Sequence, residues 1–421
     1  METPDLSSSP APAETPSLSA STPRKAALAF IFVTVTLDML ALGMIAPVLP
    51  RLITQFEGGN TVRAAEFIGV FGTVWALMQF VFSPVLGSLS DRFGRRTVIL
   101  LSNFGMGLDY LVMAVAPTLG WLFAGRLISG VTAASIPTAM AYIADVTPPE
   151  KRSAGFGVLS AAFGLGFVLG PALGGVLGSI SPRLPFWVAG AFSLVNAMYG
   201  LFVLPESLPL AHRSPFSWRR ANPLGALVLL RSHAALFSLA MVLFLGYVAH
   251  QVLAGTYVLY ADYRYNWSDR TVGLSLALVG ICSAVVGAVL VKPVVRRFGE
   301  RPVMLFGLLL GSIGFAMFGM AATGSGFWLA IPVWNLWGLA GPTAQSLMSG
   351  RVSPSEQGQL QGAINGLRGI AGLMGPALFS CVFAASIRPG VGWHLPGAPF
   401  YLAALILFSS LLLGFRITCP A

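Results

Sequence analysis

Residues 87–100 read GSLSDRFGRRTVIL, a dense cluster of charge set between the apolar runs FGTVWALMQFVFSPVL (71–86) and LSNFGMG (101–107). A close relative of its core recurs later: DRFGRRTVIL at 91–100 becomes RRFGERPVML at 296–305, a shift of 205 residues. The same shift carries Gly170-Pro171-Ala172-Leu173 onto Gly375-Pro376-Ala377-Leu378. VTPPE at 146–150 maps onto VSPSE at 352–356 with a shift of 206. Three matches at nearly one offset indicate a duplicated unit.

The unit is a bundle of membrane helices. Of the 421 residues, 55% are hydrophobic and 10% charged, and mean hydropathy is +0.78. A soluble domain carries about 25% charged residues. Continuous apolar runs of about 20 residues, each able to cross a bilayer as a helix, recur throughout. They do not alternate, which argues for helices and against a barrel. Expected spans are 26–50, 65–88, 97–117, 119–143, 154–179, 185–204, 235–260, 271–294, 302–322, 326–349, 360–386 and 397–416. The fold class is therefore all-α integral membrane, with twelve transmembrane helices in two pseudo-symmetric six-helix halves. The expected organisation is a Pro/Ser-rich disordered tail (1–25), a first half (26–204), a linker (205–234), a second half (235–416) and a short tail (417–421).

Charge placement orients the bundle. Most of the 25 Lys and Arg residues fall in one set of alternate connections, which includes both termini. Only Arg51, Arg63, Arg183, Arg264, Arg270 and Arg388 fall in the other set. The positive-inside rule then places both termini in the cytoplasm of a cell with an inner membrane. The net charge of +10 is accounted for by topology and not by a nucleic-acid footprint. Cys282, Cys381 and Cys419 have no paired spacing and read as apolar fillers. DRFGRR lacks the Gly-Lys-Ser/Thr ending of a phosphate loop, no nucleophile–base set is visible, and no cofactor is implied.

Ionisable residues deep in a span cost about 2.5–3.5 kcal/mol or more and are functional candidates. Asp38, Asp109, Arg126, His250 and, at shallower depth, Arg368 qualify. Asp109 and Arg126 fall at matching depth on consecutive spans, so a salt bridge between them is expected, either structural or a proton switch. Asp38 has no basic residue in its own span, which suits reversible protonation, attraction of a cationic drug, or a simple bond to Thr34 or Thr36. Gln79 and Gln251 are mid-span amides able to bind a ligand or a neighbouring helix. Trp75, Tyr247, Tyr257 and Trp337 are available for stacking. Gly164, Gly166, Gly170, Pro171, Gly174 and Gly175 permit close helix packing and a bend. Gly87 and Gly94 are expected to permit a tight turn around Asp91, Arg92, Arg95 and Arg96, with Asp91 paired to one of the arginines or to a helix N-terminus.

Two parallel-related six-helix halves are the plan of the major facilitator superfamily. GSLSDRFGRRTVIL resembles its cytoplasmic loop 2–3 signature, and GLGFVLGPALGG (164–175) resembles the fifth-span signature of drug/proton antiporters. LDMLALGMIAPVLP, ALMQFVFSPVLGSLSDRFGRR, LDYLVMAVAP, GRLISGVTAAS, AYIADVT and EQGQLQG together resemble the tetracycline/proton antiporter family over roughly residues 28–416. The resemblance implies efflux of a drug-like substrate in exchange for protons, with a divalent metal entering only as part of a tetracycline chelate. It implies a gating role for Asp91, a hinge role for the glycine motif, and a substrate or coupling role for Asp109, Arg126 and Gln79. The family's titratable histidine of span 8 and acid of span 9 align with Ser283 and Leu310 here. Coupling would then rest on Asp38, Asp109 or His250. An uptake carrier or facilitator on the same fold, and a non-transporting membrane sensor, are the alternatives. A monomer is expected.

Overall fold

The computed structural model describes residues 22–133, 135–148, 152–216, 227–231, 234–353, 356–390 and 394–418. The expected tail up to residue 21, the middle of the linker and Cys419 lie outside the described residues.

The first half comprises α1 (Thr22–Ile45), α2 (Leu49–Phe56), α3 (Thr61–Phe93), α4 (Arg95–Val115), α5 (Leu119–Thr132), α6 (Ser135–Val146), α7 (Arg152–Ile180) and α8 (Leu184–Val203). The short α9 (Val228–Arg231) belongs to the linker. The second half comprises α10 (Ala234–Tyr265), α11 (Asp269–Val285), α12 (Val291–Phe298), α13 (Glu300–Met320), α14 (Gly324–Asn335), α15 (Ala340–Ser349), α16 (Gln357–Ile387) and α17 (Ala398–Thr418). Among the described residues, eleven helical stretches are long and apolar enough to cross a bilayer. The tenth expected span, 326–349, is two pieces: α14 carries Pro332 and passes through the 3-10 turn Leu336–Leu339 into α15. A π turn, Val286–Leu290, similarly joins α11 to α12.

The expected loop around Asp91 shrinks to one residue. α3 runs through Phe93 and α4 starts at Arg95, so Gly94 alone makes the turn, with φ 100° and ψ 151°. Gly299, its repeat partner 205 residues on, joins α12 to α13 with φ 81° and ψ 164°. This region of backbone space is accessible essentially to glycine only. Gly87, expected to allow close approach, lies inside α3, and a Cβ there would meet nothing within 4 Å.

The repeat also shows in packing. α7 lies between α1 of its own half and α11 of the other half. α16 lies between α10 of its own half and α3 of the other half. Backbones meet where glycine removes the side chain: a Cβ on Gly170 would lie 2.8 Å from the Cα of Gly43, and one on Gly175 would lie 3.0 Å from the Cα of Gly273. A Cβ on Gly72 of α3 would lie 2.8 Å from the Pro376 Cβ of α16. Pro171 and Pro376, equivalent in the repeat, therefore occupy equivalent seams between the halves.

The halves are joined at one end. Arg51 pairs with Asp262 at 3.6 Å and with Asp269 at 3.1 Å, and Arg388 pairs with Glu66 at 2.9 Å. Each pair crosses between the halves at the end remote from Gly94. Toward the Gly94 end of α3, α7 and α16, a Cβ on Gly87, Gly157, Gly164 or Gly358 would meet nothing within 4 Å. The molecule is closed at the Arg51 end and splayed at the Gly94 end.

Candidate functional site

Asp109 on α4 is fully buried, and neither of its carboxylate oxygens accepts a hydrogen bond. It lies against α5, where a Cβ on Gly125 would come 2.7 Å from its Oδ1. Arg126, the next residue, is 9% exposed and within electrostatic reach of Asp109. The expected salt bridge is not formed: the guanidinium instead sits over the Trp75 ring of α3, 5.2 Å from its centroid. A cation–π contact partly replaces the missing carboxylate pairing. Gln79, half-buried, follows Trp75 by four residues on α3 and so shares its face.

Asp38 on α1 is also fully buried, but its surroundings differ. It is held by amides, not by Thr34 or Thr36. Asn196 of α8 donates from Nδ2 to Asp38 Oδ1 at 3.0 Å and to the Thr34 carbonyl at 3.1 Å. Asn103 of α4, with Nδ2 turned to the acid, donates to both Asp38 oxygens at 3.3 and 3.2 Å. Thr36 bonds the Phe32 carbonyl of its own helix. Asp38 thus ties three helices together, whereas Asp109 has the nearby Arg126 charge to offset its burial.

At the Gly94 turn, Arg95 alone of the three arginines pairs with Asp91, at 2.5 Å. It also meets Asp145 of α6 at 3.2 Å, and its backbone N–H donates to Glu206 Oε1 at 2.9 Å. Arg96 donates to the Leu201 carbonyl at 2.6 Å, and Arg92 lies over the neighbouring Phe93. The linker reaches the same place, where the Ser214 N–H donates to the Asp91 carbonyl at 3.1 Å. Within the glycine motif, Gly166, Gly170 and Gly174 face α1 and Gly175 faces α11, while Pro171 turns its ring to Gly43 of α1 and its carbonyl to Gly273 of α11. Gly164 is a correction: a Cβ there would meet nothing within 4 Å, so close packing does not require glycine at that position.

A sequence profile of the Major Facilitator Superfamily matches residues 31–376. The chain is 38% identical over 384 residues to the tetracycline resistance protein, class C, of Escherichia coli, covering 90% of this chain and 95% of that one. The chain belongs to the tetracycline resistance family of the major facilitator superfamily. It is also 37% identical to the class G protein of Vibrio anguillarum, over 88% of this chain and 94% of that one. Among solved structures, the human organic anion transporter MFSD10 (TETRAN) superposes with a TM-score of 0.69 at 25% identity, covering 93% of this chain and 99% of that one. The nucleoside transporter NupG shares the fold, with a TM-score of 0.75 at 14% identity over 94% and 99% of the two chains. As a member of this family the protein is a multi-pass membrane transporter and not an enzyme.

In this family member the second half offers a polar set of its own. Ser283 donates to Asn335 Oδ1 at 2.6 Å, and the Asn335 amide donates to the Ile331 carbonyl at 2.9 Å. His250 of α10 stacks against Trp337 and Trp334, with ring centroids at 5.2 and 5.7 Å. Arg368 of α16 lies over the Tyr247 ring at 5.0 Å. Gln251 wedges between α10 and α16 against Gly372 and Gly375. Tyr257 is fully buried and hydrogen-bonds Ser275 at 2.9 Å, so it is a core residue. Sequence reasoning passed over Asn103, Asn196 and Asn335, although an amide inside an apolar run is itself a signal. It also passed over the Arg51, Asp262 and Asp269 cluster, which only the fold assembles.

Proposed function

We propose that this protein is a secondary active exporter of the bacterial inner membrane that expels a tetracycline-type or other amphipathic drug in exchange for protons. It does so by rocking its two halves about a central site. Both termini lie in the cytoplasm, so the splayed Gly94 end is the cytoplasmic mouth and the Arg51 end the closed outer gate. The observation that carries the coupling is Asp109: a fully buried carboxylate with neither oxygen hydrogen-bonded, facing an arginine that has turned to Trp75. Protonation removes the charge that holds Arg126 on the α4 side, and deprotonation restores it. On this reading the guanidinium exchanges its place over Trp75 for one on Asp109, the two-state movement that a proton-driven switch requires. Asp38 sits in a rigid amide cage that orients α1 against α4 and α8. Asp91 and Arg95, paired here within the first half, serve as the inner latch when the Gly94 end closes, and the Gly166–Gly175 stripe lets α7 slide on α1 and α11.

The test is drug-induced collapse of an imposed proton gradient in inverted vesicles, with tetracyclines and a panel of other amphipathic drugs. The wild type is expected to collapse the gradient with at least one drug. Asp109→Asn is expected to abolish collapse while still binding that drug. Absence of collapse with every drug, in wild-type protein that is folded, overturns antiport.

A further inference from the structure

We propose that α12 and the turn after it bind the phosphate headgroup of an anionic phospholipid, held by Lys292, Arg296 and Arg297. This site belongs to the membrane boundary of the second half, apart from the central site, and is independent of what the protein transports.

The repeated turn differs in charge between the halves. A shift of 205 residues places Lys292 where the first half has Gly87, Arg296 where it has Asp91, and Glu300 where it has Arg95. The Asp91–Arg95 pair is thus inverted to Arg296 and Glu300. In the first half the pair is formed, and the Gly94 turn is buried beneath Glu206 and Arg213. In the second half Glu300 accepts from Ser346 of α15 instead. The Gly299 turn is exposed, and a Cβ there would meet nothing within 4 Å. Lys292, Arg296 and Arg297 are all exposed. Among the described residues, no carboxylate lies within ion-pair distance of any of the three.

α12 is amphipathic. By the helical repeat, Lys292, Arg296 and Arg297 share one arc, and Val291, Val294 and Val295 the other. The valines pack on a small core of Val286, Val303 and Leu339, yet no residue of α12 is buried. Lys292 and Arg296, four residues apart, repel each other with no acid to relieve them. The positive-inside rule asks for basic residues on that side of the membrane, not for three on one face of a short helix. The depth also fits a headgroup, because the spanning stretch Asp269–Phe298 ends here. Phe298 is 63% exposed, and Val289, just before α12, is 59% exposed. Bare cations flanked by exposed apolar side chains match a phospholipid, whose acyl chains lie beside its phosphate. A soluble anion would leave Phe298 and Val289 with nothing to touch.

The test places a fluorophore beside the site, on Pro302→Cys of the full-length protein with Cys282, Cys381 and Cys419 replaced by serine. This parent is reconstituted in phosphatidylcholine vesicles, and quenching by spin-labelled phosphatidylglycerol is compared with quenching by spin-labelled phosphatidylcholine. The parent is expected to prefer phosphatidylglycerol. Unlabelled phosphatidylglycerol should reverse the quenching, and inorganic phosphate should not. Arg296→Gln/Arg297→Gln is expected to lower the relative association constant roughly 10- to 30-fold, the range for two basic side chains at a charged surface. Arg296→Lys/Arg297→Lys should stay within about threefold of the parent, because lysine also binds phosphate as a point charge. Arg416→Gln, which removes an exposed arginine from the last turn of α17, should leave the preference unchanged. Equal quenching by the two lipids in the parent overturns the site, as does a preference that survives in Arg296→Gln/Arg297→Gln. Equal loss in Arg416→Gln overturns it in favour of diffuse attraction to membrane charge. Reversal by inorganic phosphate overturns it in favour of a site for the free anion. Neither a drug nor a proton gradient enters the readout, so failed antiport would leave the lipid site standing.

Discussion

At the scale of the residue, Gly94 and Gly299 separate backbone strain from crowding. Both hold positive φ, so an alanine at either is strained by about 1–3 kcal/mol. A Cβ on Gly94 would in addition collide with the Glu206 carboxylate and the Arg213 guanidinium, whereas one on Gly299 would meet nothing within 4 Å. Gly94→Ala is expected to lower the thermal unfolding temperature more than Gly299→Ala, measured in the same detergent. Equal shifts would mean that strain alone acts. Asn196 gives a second expectation at this scale. Asn196→Ala leaves fully buried Asp38 without one of its amide donors and should cost about 1–3 kcal/mol of stability. Asp38→Asn in that background should recover part of the loss in a double-mutant cycle, because the charge that needed the donor is gone.

At the scale of the element, α7 is a test piece because its two faces behave differently along its length. Gly175 is pressed onto the Asp269–Gly273 turn of α11, in the other half, while Gly164 faces open space. Gly175→Leu is expected to separate the halves at the Arg51 end and to destabilise the closed form by about 1–3 kcal/mol, as overpacking does. Gly164→Leu, three turns away on the same helix, is expected to be neutral or slightly stabilising, since leucine is the better helix former. Unfolding temperature together with cysteine cross-linking between α7 and α11 distinguishes the two. If both variants behave alike, the seam is not where the helices make contact.

At the scale of the whole molecule, the proposed exchange requires the ion pairs of the Arg51 end to break and re-form as the halves rock. Asp269 is nearly buried and Arg51 about one-third exposed, whereas Glu66 and Arg388 are both about half-exposed. Exposed pairs contribute about 0.2–1 kcal/mol, and a partly buried pair that loses one partner costs more. Asp269→Asn is therefore expected to shift spin-label distances at that end toward separation, and Glu66→Gln to shift them less. The reverse ranking would place the gate on α3 and α16.

The sequence by itself determined the architecture, because apolar runs of spanning length, a repeated Gly-framed turn and a displaced Gly-Pro motif are local or periodic signals. It marked Asp38, Asp109, Arg126, His250 and Arg368, since an ionisable group in an apolar run stands out without any fold. It left undecided what each charge meets, because partners come from other helices and their rotation about the helix axis is not written in spacing. Matching depth made Asp109 and Arg126 look like a pair, but the tertiary structure turned Arg126 to Trp75 and gave Asp38 the amides of Asn103 and Asn196. Packing also assembled ion pairs of Arg51 with Asp262 and Asp269 across the two halves, at the end remote from Asp91. Arg51 is far in the chain from Asp262 and Asp269, and only closure of the two halves brings it within ion-pair distance of them.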